Sequence, residues 1–308
     1  MTLGARVSYA RCALGVLIYN VAVILWGAYV RASGSGAGCG RHWPLCDGEV
    51  IPTAPDVKRM IEFAHRASSG VDGLLVLLLC LGAFRLFAKG SSVRFFAAIS
   101  LALTVLEGAL GAGLVLLEHT ANNKSDARML SISLHLANTL ALLAALTLTW
   151  QHARAQRTRA ASPVRVRWVA LGAGALVVVS MIGAVTALGD TLYPARSLAE
   201  GMRADISPMA ATAQRLRALH PALALCTAGY LVWFSGRAKA LLQSVEDRRF
   251  ATALRHIVLG QVAFGVLNLL LLVPVWSQLV HLLLADALWI VFVVVVSRLF
   301  WRPQNAEA

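Results

Sequence analysis

The sequence predicts an all-α integral membrane protein in which eight transmembrane helices form two pseudo-symmetric four-helix bundles. Three observations carry this expectation. The 308 residues are 58% hydrophobic and 14% charged, with a mean hydropathy of +0.69, too apolar for a soluble globular protein. Eight apolar runs reach roughly twenty residues, the length of helix that crosses a bilayer core. Helix is required there because backbone polar groups find no water in hydrocarbon. Finally, the last four runs echo the first four.

The runs cover about 12–31, 60–84, 93–117, 130–151, 167–189, 216–235, 252–273 and 278–300. A net charge of +13 would suit nucleic acid if it formed one patch, but the basic residues follow alternate loops, and no nucleic-acid partner is expected. Arg6, Arg11, Arg85, Lys89, Arg94, Arg154, Arg237, Lys239, Arg248, Arg249 and Arg298 fall on one side. That excess places both termini in the cytoplasm. The first run reads as an uncleaved span, since no small-residue cleavage site follows it.

The first outer loop, Ser33 to Cys46, is rich in glycine and carries Cys39, His42 and Cys46. On the oxidising side the two cysteines pair as a disulfide or cycle as a thiol couple. Zinc is disfavoured, with only His42 close by. Cys12, Cys80 and Cys226 lie in spans and read as small packing residues.

The second span opens with Glu62-Phe63-Ala64-His65-Arg66. On a helix Glu62, His65, Ser69 and Asp72 share one face. Ionisable groups at membrane depth usually serve a site; the plainer reading is an interfacial Glu62–Arg66 pair. The third span contains Glu107 among small residues, a second buried acid either protonated or paired. The fourth opens with His135-Leu136-Ala137-Asn138.

A basic linker, 152–167, divides an N-terminal half (1–151) from a C-terminal half (168–308). Gly27 is echoed by Gly183, His65 by His220, Glu107-x-x-x-Gly111 by Gln261-x-x-x-Gly265 and His135 by His281. Four spans per repeat leave both halves in the same orientation, about an axis along the membrane normal.

His65, His135, His220 and His281 each lie within about two turns of the outer end of an even-numbered span. One of these alone would be an interhelical hydrogen-bond partner. Two facing imidazoles per half can clamp a planar metallocofactor, as bundles do with haem. His42, His119, His152 and His256 lack this symmetry and read as surface residues. Three residues before His65 stands Glu62; three before His220 stands Arg217. A carboxylate offers a proton acceptor or stabilises a developing cation, whereas arginine suits a propionate. The N-terminal site therefore reads as reactive and the C-terminal one as a permanent cofactor pocket, with Arg66 and Arg217 as propionate contacts.

These pieces resemble the haem A synthase family of respiratory membranes, in the bacterial type with paired cysteines in the first outer loop. The matching stretches are Gly34-Ser35-Gly36 with Cys39 and Trp43-Pro44-Leu45-Cys46, Ile61 to Arg66, His135-Leu136-Ala137, Gly183-Ala184-Val185-Thr186, Gly260 to Asn268, and His281-Leu282. The resemblance implies a multi-pass protein of the bacterial plasma membrane. It further implies a haem b whose iron is held by His220 and His281, and haem O as substrate between His65 and His135. Glu62 is then catalytic, and a ring methyl of haem O becomes the formyl group of haem A. Haem O synthase, terminal oxidase assembly factors, membrane lipid and a quinol or other electron donor are the expected partners. A di-haem electron-transfer cytochrome without methyl oxidation is the alternative; a transporter on parallel repeats leaves the matched histidines unexplained. Two departures stand out: Pro221 follows His220 where arginine is usual, and is expected in a first helical turn, and Glu107 replaces a common glutamine.

Overall fold

The computed structural model describes residues 3–53, 56–155, 157–159 and 164–303. Its helices are α1 (Leu3–Ala32), α2 (Val57–Leu86), α3 (Ser92–Leu116), α4 (Asp126–Arg154), α5 (Val166–Leu192), α6 (Leu198–Asp205), α7 (Thr212–Leu241), α8 (Val245–Leu270) and α9 (Val275–Phe300). Among the described residues eight helices, all but the short α6, are long and apolar enough to span a bilayer. The chain is a multi-pass membrane protein.

Most helices begin before their apolar run because polar caps lie outside it. Asp56 accepts a hydrogen bond from the Arg59 N–H, and Ser91, Ser125 and Ser244 likewise cap α3, α4 and α8, each satisfying an amide that the first turn leaves free. Hydropathy could not foresee α6, which is short and polar and is capped by Ser197. The linker narrows, since α4 continues to Arg154 and α5 starts at Val166. Strand β1 (Arg157–Arg159) within it pairs antiparallel with β2 (Trp301–Pro303); linker residues 156 and 160–163 lie outside the described residues.

Three expectations are corrected. Pro221 lies inside α7 rather than in its first turn, because the helix starts at Thr212; the proline has no N–H to give the Arg217 carbonyl four residues back. His152 is buried, its ring centroid 5.2 Å from Phe96 and 5.4 Å from Trp301, since α4 outruns its apolar run and the chain's last strand packs over it. Cys80 is buried as expected, but Cys12 and Cys226 are exposed, on helix faces turned away from the core.

In the N-terminal half α1 packs on α2, α2 on α3, α3 on α4 and α4 back on α1; in the C-terminal half α5, α7, α8 and α9 follow the same order, with a slighter seam between α5 and α9. Between halves α4 meets α9, α1 meets α9 and α4 meets α5. This pattern is compatible with a two-fold axis beside α4 and α9, a seam tied by Trp289 Nε1 donating to the Leu140 carbonyl at 2.7 Å.

The buried core is uneven along the membrane normal. Its main cluster, including Leu17, Val76, Leu79, Leu143, Leu146, Phe234, Leu254 and Val295, occupies the end of the bundle that holds the termini. Toward the end bearing Cys39 and Cys46, only Met129, Val185, Leu188 and Ala213 form a buried apolar cluster among the described residues. No residue of α8 beyond Val258, and none of α7 between Ala213 and Leu231, is buried. The apolar core is therefore gathered at one end, and the outer end is held more by polar contacts and the disulfide loop.

Candidate functional site

The four histidines stand at the outer end, away from the main apolar core. At about 1.5 Å per residue, His65, His135, His220 and His281 lie roughly 12, 14, 12 and 9 Å below the starts of α2, α4, α7 and α9. Each ring rests on a glycine of the neighbouring helix. A Cβ added at Gly27 would meet His65 Cε1 at 2.9 Å; at Gly183, His220 Cε1 at 3.1 Å; at Gly265, His281 Cε1 at 3.1 Å; and at Gly111, His135 Cε1 at 3.8 Å. Only hydrogen in place of a side chain leaves room at the first three, so the glycine echoes of the sequence are the backs of four imidazole seats.

Within each half the two rings are near enough to influence each other electrostatically, His65 with His135 and His281 with His220. All four are half-buried. All four also keep a buried Nδ1 without a hydrogen-bond partner. Unsatisfied buried nitrogens are rare and ask for an explanation. Four at equivalent positions leave each ring with binding capacity that the chain itself does not use.

Glu62 is 4% exposed. Its Oε2 accepts from the Cys39 N–H at 2.9 Å and its Oε1 from Arg66 Nη2 at 2.5 Å. Arg66 Nη1 also donates to the carbonyls of His42 and Leu45, each at 2.5 Å. The plainer reading of this pair, an ion pair at the helix end, is thus present, and Arg66 also holds the loop while its Nε has no hydrogen-bond partner. Cys39 and Cys46 form a disulfide and are both buried, closing the loop that Glu62 and Arg66 hold.

Arg217 plays the matching part in the other half. It donates to Asp205 at 2.8 and 2.5 Å, to Asp190 at 3.1 Å and to the Tyr193 carbonyl at 3.1 Å, docking α6 onto α5 and α7. Asp190 and Asp205 were not foreseen as its partners; an acid at the end of α5 was the available signal. Nor was Arg31, which crosses between halves to the Ala187 carbonyl at 2.6 Å, Thr191 Oγ1 at 2.9 Å and Gln278 Oε1 at 2.9 Å. Asp72 is buried and accepts from Asn20 Nδ2 at 2.6 Å.

Glu107 sits between α3 and α4. Its Oε2 accepts from Asn138 Nδ2 at 2.5 Å, its Oε1 accepts from Thr139 Oγ1, and His135 Nδ1 is 3.4 Å from Oε1. Its repeat counterpart Gln261 has Nε2 3.3 Å from His281 Nε2.

Fold and site together define a polytopic membrane protein with one paired-histidine seat in each half. The COX15-CtaA family, described as cytochrome oxidase assembly protein, matches residues 10–293, and the chain belongs to it. A protein of Thermus thermophilus named protoheme IX farnesyltransferase is 46% identical over 288 residues, 91% of this chain and 46% of that protein. The chain therefore spans about half the length of that relative. A heme A synthase of Shouchella clausii is 44% identical over 102 residues, 33% of each chain, and one of Exiguobacterium sibiricum is 44% identical over 93 residues, 30% of this chain and 31% of that one.

Proposed function

We propose that this protein is a haem A synthase, oxidising a ring methyl of haem O to the formyl group of haem A for terminal oxidases. The observation that carries the reading is the repeated seat, in which two imidazoles per half rest on glycine and each keeps a buried, unpartnered Nδ1. His220 and His281 would hold the iron of a resident haem b, and His65 and His135 would position the substrate. When bound, the haem b supplies one-electron redox chemistry that no side chain of this chain offers. The family resemblance supports a plasma-membrane location and the basic loops support cytoplasmic termini; haem O synthase, an electron donor such as quinol, and assembly factors are partners by chemistry. The farnesyltransferase named in Thermus we assign to the part of that protein this chain does not share.

Within this reading the protein's own residues bind, orient and shield. Glu62, one turn from His65, holds negative charge near the substrate's reacting edge, where electron-poor carbon develops and a preorganised anion in low dielectric is most effective. Arg66 and the Cys39 amide fix that carboxylate, and the disulfide loop covers the site against water. The engaged state of both Glu62 oxygens favours the second reading, a di-haem electron-transfer cytochrome in which Glu62 only anchors the loop. Conversion of haem O by the unaltered protein decides between them, since the cytochrome makes no haem A. Glu62→Gln then tests the carboxylate, with haem b kept and haem O or a hydroxylated intermediate accumulating, and unchanged haem A formation per enzyme would remove the catalytic role.

A further inference from the structure

The two seats are alike in backbone and differ in what stands beside the ring of the later helix. Glu107 and Gln261 occupy equivalent positions on α3 and α8, but they meet the histidine of the next helix at different edges: Glu107 Oε1 lies 3.4 Å from His135 Nδ1, whereas Gln261 Nε2 lies 3.3 Å from His281 Nε2. The carboxylate of Glu107 is held from two sides by α4. Asn138 Nδ2, which also donates to the Leu103 carbonyl at 3.0 Å, fixes Oε2, and Thr139 Oγ1 fixes Oε1. His135 Nδ1 faces that same Oε1 at 3.4 Å and has no other partner. Gln261 presents a neutral amide whose Oε1 is buried and unpartnered.

We propose that Glu107 is a positioning residue for His135. A small ring rotation lets His135 Nδ1–H donate to Oε1, which fixes the tautomer, leaves Nε2 as the free lone pair, and makes this imidazole a stronger electron donor than His281. Carboxylate partners of ligating histidines act in this way, orienting the ring and raising its basicity. The two halves then differ by design in the electron richness of their axial imidazoles. This rests on the proposed binding of haem O by His65 and His135.

The test uses the full chain in detergent, loaded with haem O without oxygen, and follows the midpoint potential of each haem; the N-terminal component is the one that His65→Leu removes. Glu107→Gln converts the carboxylate to the amide of the other half. The N-terminal potential is expected to shift positive, because the ferric state loses its stronger donor, with the C-terminal potential unmoved. Glu107→Asp, which keeps the charge but draws it back from His135 Nδ1, is expected to shift the N-terminal potential in the same direction by less, and it carries the test should Glu107→Gln fail to fold. Glu107 acting only as a strut between α3 and α4 predicts lower thermal stability with both potentials unchanged, and that result overturns the proposal. If His65→Leu removes no haem from the otherwise unaltered protein, the binding reading beneath it fails, and the proposal with it.

Discussion

Three residues before the first histidine of each half stands a charge, Glu62 in one and Arg217 in the other, and both dock the first outer loop of their own half. Glu62 does so through the Cys39 amide and Arg66, on a loop closed by a disulfide. Arg217 does so through Asp190 and Asp205, on a loop that folds as α6. The mechanical job is shared and the sign is opposite. The two halves thus share a seat and a docked loop while the charges beside them differ: Glu62, Asp72 and Glu107 stand on the N-terminal side where Arg217, Thr227 and Gln261 stand on the other.

The largest effect expected from breaking this comparison comes from Arg217→Leu. It strands Asp190 and Asp205, each about nine-tenths buried, and removing one partner of a buried ion pair costs about 3–5 kcal/mol. Thermal unfolding followed by haem absorbance should show the C-terminal haem released first, with the N-terminal half intact; loss of both together would mean that the halves are not separately clasped.

Glu62→Gln comes next, and here the account expects roughly a hundredfold slower haem A formation, the scale of removing one preorganised electrostatic group. The amide can still accept from the Cys39 N–H, so the loop should stay closed and Cys39 and Cys46 should resist thiol labelling in membranes. Faster reduction of the Cys39–Cys46 disulfide by an added reductant, in step with the lost activity, would make Glu62 a loop anchor alone.

The glycine seats give a graded series. Gly27→Ala must push His65, while Gly111→Ala meets His135 at ordinary contact distance. Misplacing a ligand typically costs about tenfold or more in affinity, so Gly27→Ala should weaken haem O binding by that factor and Gly111→Ala by far less, with Gly183→Ala and Gly265→Ala weakening haem b. Equal effects at Gly27 and Gly111 would detach the seats from the function. The smallest effect is expected from Cys12→Ala and Cys226→Ala, within about 0.5 kcal/mol in thermal unfolding because both side chains are exposed.

Much of this was legible in the sequence for a physical reason. Hydrocarbon demands helices of one length, so hydropathy alone places eight spans, and period and offset place His65, His135, His220 and His281 at one depth. The disulfide was legible as one of two chemistries open to Cys39 and Cys46. What stayed hidden was set by contacts distant in sequence: Arg217 with Asp190 and Asp205, and Arg31 with Gln278. Helix ends were hidden as well, because Asp56, Ser125 and Ser244 extend helices through polar stretches that hydropathy discards. Pro221 was misplaced for the same reason, and His152 because the strand that covers it comes at the other end of the chain.

The central claim is that one duplicated seat holds a substrate in the half with acids and a resident haem in the other. Haem extracted from protein purified from cells that make haem O tests it most directly. The account predicts haem b together with haem O or haem A in the unaltered protein, haem b alone in His65→Leu and His135→Leu, and loss of haem b in His220→Leu and His281→Leu. Haem b lost from His65→Leu and kept in His220→Leu would contradict it.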